Sequence, residues 1–78
     1  MNEYVAIFFT HSGAIKFNRN CKANNIECEL MPVPRQLSSN CGIGAKFRFH
    51  EDIMDIIDDE IEKVFIIENG KYRLIYSE

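Results

Sequence analysis

The chemistry this chain can offer is concentrated in one stretch, "VPRQLSSNCGIG", Val33 to Gly44. It places Cys41 after Ser38, Ser39 and Asn40 and before Gly42 and Gly44. A thiol reacts as its thiolate, and a nearby cation or converging backbone N–H groups favour that form. The stretch has both kinds of group. Arg35 brings a guanidinium, Ser38 and Ser39 bring hydroxyls, and the glycine-flanked amides, Gly42 among them, suit an anion-binding nest. Those are the ingredients of a sulfur nucleophile or carrier. The same residues also suit a plainer role, with Cys41 as a small apolar plug where a loop meets a sheet. Spacing alone leaves both readings open.

The remaining candidates are weaker. Cys21 falls on the buried face of an expected helix and Cys28 on the inward side of an expected strand, so both read as core residues. His11, His50 and the cysteines have no metal-ligand spacing, and no metal is expected. His11 reads as a helix-start residue that the loop could reach, and His50 as the start of a second helix. The acids from Glu51 to Glu62 read as a solvated face. Gly42-Ile43-Gly44 is too short for a dinucleotide fingerprint and precedes a strand where a helix is required. No organic cofactor is implied.

The elements that must position Cys41 follow from patterning. "EYVAIFF", residues 3–9, is continuously apolar after Tyr4, as a buried central strand should be. Thr10 or Ser12 can cap a helix carrying Ala14, Phe17 and Cys21 on one face, and Asn24-Asn25 can stop it. Ile26, Cys28 and Leu30 alternate with polar neighbours up to Pro32, and Ile43, Ala45, Phe47 and Phe49 do so after Gly42. Between these strands runs a connection longer than a hairpin needs, stiffened by Pro32 and Pro34. An acidic helix is expected from His50-Glu51-Asp52, with Ile53, Ile56, Ile57 and Ile61 on its inner face. Residues 64–76 flank an Asn-Gly with β-branched and aromatic runs, a hairpin signal, against the competing reading of a helix continuing to Asn69. The order β-α-β-loop-β-α-β predicts one α+β domain over residues 1–78. Its expected form is a ferredoxin-like two-layer sandwich, an antiparallel sheet with two helices on one face and an extra C-terminal hairpin strand.

Composition narrows the function classes. The chain has 78 residues and a net charge of -3, with +3 over residues 1–50 and -6 over residues 51–78. Basic residues are few, so nucleic acid is not an expected partner. No apolar run approaches the roughly 18 residues of a membrane span, and the first residues lack the basic segment of a signal peptide. A cytoplasmic location is expected. Three cysteines without Cys-x-x-Cys spacing fit free thiols in a reducing compartment.

Residues 32–42, "PVPRQLSSNCG", resemble the signature of a small bacterial domain family described as selenium/sulfur carrier-like, with the pattern Pro-x-Pro-Arg-x-(apolar)-Ser-x-x-Cys-Gly. The pattern falls on Pro32, Pro34, Arg35, Leu37, Ser38, Cys41 and Gly42, and Phe9-Thr10-His11 falls in the family's turn after the first strand. "GIGAKF" and the acidic segment fit as well, while "ENGKYRLIYSE" matches least. The resemblance covers nearly the whole chain.

The resemblance implies a carrier role for Cys41. Its thiolate would take the outer sulfur or selenium of a donor persulfide or perselenide and pass it to an acceptor. Arg35, Ser38, Ser39 and the Gly42 amide would hold the anion. The partners would be a donor such as a cysteine desulfurase and an acceptor protein, and the chain would be an accessory protein more than an enzyme. The alternative is a small ferredoxin-like binding or regulatory module. In it the 32–44 loop would hold an anion or peptide without thiol chemistry, and two copies could pair through an open sheet edge.

Overall fold

The computed structural model describes residues 2–37 and 41–78. Five strands and one α-helix follow in the order β1 (Asn2–Phe8), α1 (His11–Ala23), β2 (Cys28–Pro32), β3 (Ile43–Phe49), β4 (Ile61–Glu68) and β5 (Lys71–Ser77). The strands form one antiparallel sheet in the order β2-β3-β1-β4-β5. The fold is therefore α+β. No helix among the described residues is long and apolar enough to cross a membrane.

The central position of β1 explains its unbroken apolar run. Tyr4, Ala6 and Phe8 point into the core beneath α1, and Val5 and Ile7 point into a second cluster on the opposite face. A strand buried on both faces cannot alternate polar and apolar residues. On the α1 side, Phe17 packs against Phe8 and Phe47 with ring centroids 5.3 and 5.2 Å away. Aromatic pairs at such separations add packing energy beyond their burial.

The helix ends follow ordinary capping physics. The Thr10 side chain accepts from the Gly13 N–H at 3.0 Å, a hydroxyl satisfying one of the orphan donors of the first turn. Asn24 closes the helix, and Asn25 takes a left-handed φ of 58°. The chain then folds straight back, with the Ile26 N–H donating to the Cys21 carbonyl at 2.8 Å. At the other end of the chain, Asn69 and Gly70 have φ of 51° and 76°, the paired left-handed residues of a tight hairpin between β4 and β5.

The expected second helix is absent. Residues 50–60 contain a single 3₁₀ turn, Ile53–Asp55, and β4 starts at Ile61. The ferredoxin-like expectation of two helices on one face is thus corrected to one helix and an irregular crossover. Geometry supplies the reason. β3 and β4 are parallel to each other with β1 between them, so this connection must travel the length of a strand. Seven residues of strand span roughly 23 Å, whereas eleven residues of α-helix rise only about 16 Å. The aspartates also cap turns where a helix was expected. Asp52 accepts from the Met54 N–H at 3.0 Å and Asp58 from the Glu60 N–H at 2.9 Å, local bonds that compete with helix formation. Ile53, Ile56 and Ile57 nevertheless pack against the core, and Ile61 is buried within it. The inward residues were those expected; the element carrying them was not.

Candidate functional site

From the connection between β2 and β3, residues 33–42, Val33 and Leu37 lie over the sheet face opposite α1. Pro34 and the buried Leu37 make that possible. The Leu37 N–H donates to the Pro34 carbonyl at 2.9 Å, closing a turn that drives Leu37 down onto Val5 and Ile7. Leu37 is only 6% exposed. Val33 packs beside it, lying 3.5 Å from where a Cβ on Gly44 would stand. That same Cβ would sit 2.9 Å from the Ala6 carbonyl oxygen, so a side chain at position 44 would push on the backbone of β1. The apolar position in the loop motif is therefore the anchor of the loop. Its isolation among polar residues was the signal that could have identified it as buried.

The exit of the connection brings Cys41 back to the sheet. The Val33 N–H donates to the Gly42 carbonyl at 3.1 Å, closing the loop at its neck. Gly42 has φ of 75°, a left-handed conformation that a Cβ disfavours. Cys41 is half-buried, and its thiol lies 3.2 Å from the Phe8 carbonyl and 3.3 Å from the Ile43 carbonyl. A thiol has one proton to donate, so the two carbonyls share it.

Phe8 ends β1, and three residues later His11 opens α1. The His11 ring meets Cys41 from that side, with Nε2 bonded to the Cys41 carbonyl. A carbonyl only accepts, so Nε2 is the donor in this contact. The thiol thus lies where the end of β1, the first turn of α1 and the start of β3 converge. That first turn carries no acidic residue, and the positive end of a helix dipole favours anions nearby. The convergence of His11 and Cys41 across 30 positions follows from topology.

The other residues proposed from sequence are placed less closely. Arg35 stands solvent-exposed on the Pro34–Leu37 turn. Gly42 contributes the neck of the loop, as described. Ser38 and Ser39 lie outside the described residues. His50 is exposed just after β3, its ring tilted against Phe49 with centroids 6.3 Å apart. Among the described residues, no three histidine, cysteine or acidic side chains gather as a metal site would require. Cys21 is buried and Cys28 half-buried in the core on the α1 side, and all three cysteines are free thiols.

Comparison with known proteins gives one result. No curated protein and no solved structure was found to match the chain. A family profile described as "Putative Se/S carrier protein-like" matches residues 3–76, from the second residue of β1 to the penultimate residue of β5. This chain, with its Pro-Arg loop anchored by Leu37 and its cysteine seated between β1 and α1, belongs to that family.

Proposed function

We propose that the protein is a sulfur or selenium carrier that holds the transferred atom on Cys41. The observation that carries this reading is the seat of Cys41. A loop with Pro34, a buried leucine and a left-handed glycine delivers this residue to the mouth of the helix. Membership of the family supports the same role.

The chemistry is thiol exchange. The Cys41 thiolate attacks the terminal sulfur of a donor persulfide. That S–S bond breaks, the donor leaves as its thiolate, and Cys41 carries the sulfur as Cys41–S–S⁻. An acceptor thiol then attacks the outer sulfur and releases Cys41. Selenium follows the same path as Cys41–S–Se⁻. An anionic sulfur cannot donate to the Phe8 and Ile43 carbonyls that hold the resting thiol. Loading therefore turns the side chain out of this seat, toward donors on the loop and the first turn of α1. Arg35, Ser38, Ser39 and the Gly42 amide are the loop groups proposed to receive it. His11 is proposed as a positioning residue, through its bond to the Cys41 carbonyl. The donor is a persulfide-bearing protein of the cysteine desulfurase kind, and the acceptor is a second protein thiol. Neither step calls for a metal or an organic cofactor.

The test is to incubate the reduced protein with a cysteine desulfurase and free cysteine, then locate the added mass. The proposal expects one added sulfur on the peptide containing Cys41, removable by a thiol reductant and absent in Cys41→Ser. Sulfur spread evenly over the three cysteines, or none at all, would overturn it. If Arg35→Ala then weakened the binding of an anion or peptide that Cys41→Ser left unchanged, the binding-module reading would replace it.

A further inference from the structure

The helix whose first turn meets Cys41 is basic, with no acidic residue from His11 to Ala23. Its bases, Lys16, Arg19 and Lys22, recur every three residues and so share one side of the helix. All are exposed, because Phe17 and Cys21 take the buried side. No ion pair reaches them among the described residues, whereas Lys46, Arg48 and Arg73 on the sheet are each held by a glutamate. Their field is therefore not cancelled locally. The same outward face leaves Ile15 46% exposed. Ile15 lies one turn beyond His11, at the four-residue spacing that stacks side chains on a helix surface. His11 in turn is bonded to the Cys41 carbonyl. A strip thus runs from Cys41 past His11 and Ile15 to Arg19 and Lys22. From His11 to Lys22 it measures roughly 16 Å at the helical rise. A protein interface of ordinary size, about 800 Å² per partner, covers that span.

From this strip we infer that the outward face of α1 is the docking face for the protein that exchanges sulfur with Cys41, and that this partner presents carboxylates beside its own cysteine. The inference rests on the carrier reading and adds the chemistry of the partner. Charge complementarity selects the occupant. A basic surface is repelled by the strip, and a second copy meeting α1 with its own α1 would set the same bases against each other. An acidic surface is attracted before contact, which speeds encounter and orients the partner. The rest of the chain sharpens the orientation. Residues 51–78 carry a net charge of -6, so the crossover and the C-terminal hairpin turn an acidic surface away. Ile15 gives the charged face an apolar contact next to His11, and a contact of that kind excludes water from the centre of an interface.

The experiment uses the full chain and synthetic peptides of equal length, each with a central cysteine activated as its mixed disulfide with thiopyridine. Glutamates flank the cysteine in one peptide, serines in another and lysines in the last. The Cys41 thiolate attacks the peptide sulfur, a new S–S bond forms, and the released thiopyridone gives the rate. The adduct is located on the tryptic peptide 36–46, which holds Cys41 alone of the three cysteines. The expected order at low salt is glutamate, then serine, then lysine, with the extremes on the order of tenfold apart. The difference closes at roughly 1 M salt, where the screening length is about 3 Å. Arg19→Gln with Lys22→Gln should remove most of the preference, and Arg19→Glu with Lys22→Glu should reverse it. Lys71→Glu shifts the net charge in the same direction from an edge strand of the sheet and should leave the order as it was. Equal rates for all the peptides, an order that survives Arg19→Glu with Lys22→Glu, or an order lost equally in Lys71→Glu would overturn the inference. Neutral dipyridyl disulfide separates the two possible failures. If Cys41 reacts with it yet shows no charge preference, the docking inference falls and the carrier reading stands. If Cys41 does not react even with it, the carrier reading falls and takes this inference with it.

Discussion

The two long connections of this molecule are nearly equal in length and opposite in character. Residues 33–42 join β2 to β3, with Val33 and Leu37 over one sheet face, and residues 50–60 join β3 to β4 over the other. The first is stiffened by Pro34, anchored by Leu37 and pinched at Val33–Gly42, and it ends by presenting Cys41 to the start of α1. The second is a strap of isoleucines turned inward, with aspartates capping its own turns. Both cover apolar surface that would otherwise meet water. Only the first also places a cysteine at a junction of three elements. A long connection is thus not itself a sign of chemistry; what its exit delivers, and where, distinguishes the two.

Substitutions can sharpen or break this contrast. The largest effect is expected at Cys41→Ser, which should abolish sulfur loading by a persulfide donor while leaving the circular dichroism spectrum unchanged. Next is Leu37→Ala, which removes the anchor of the first connection and should cost about 3 kcal/mol in urea unfolding. Ile56→Ala in the strap is only half-buried and should cost about 1 kcal/mol. Should Ile56→Ala prove the costlier, the first connection is not the better anchored. Thr10→Ala removes the cap of the helix that faces Cys41 and should lower stability by about 1 kcal/mol.

The smallest effect is expected far from both connections. The Arg73 guanidinium beside Glu68 holds its carboxyl below the usual range, with bonds of 2.9 and 3.2 Å. Because the folded value is the lower one, this contribution is present above the unfolded carboxylate pKa and lost as pH falls through the folded value. Both side chains are exposed, so Glu68→Gln should change the acid limb of a stability–pH curve only slightly.

Much of this architecture was legible in the residues. The apolar run of β1, the Thr10 cap, the Asn24-Asn25 stop and the Asn-Gly hairpin each rest on local physics, and each stands in the structure. The acidic helix did not, because its pattern reports only which side chains turn inward. Ile53, Ile56 and Ile57 satisfy that pattern from an irregular strap, whose length is set by the distance between β3 and β4. The loop motif pointed to Cys41 and named Leu37 only as an apolar position. Its burial against Val5 and Ile7, and the approach of His11 to Cys41, depend on how the strands are ordered. No local pattern carries that order.

The central claim, that Cys41 is the working thiol and the other two belong to the core, is tested most directly by native-state alkylation. The reduced protein is exposed to iodoacetamide for increasing times, and each cysteine is read on its own tryptic peptide. The account expects Cys41 to react first, with Cys21 and Cys28 following many-fold more slowly, at the rate at which the core opens. Equal slow labelling of all three, or labelling of Cys28 ahead of Cys41, would contradict it.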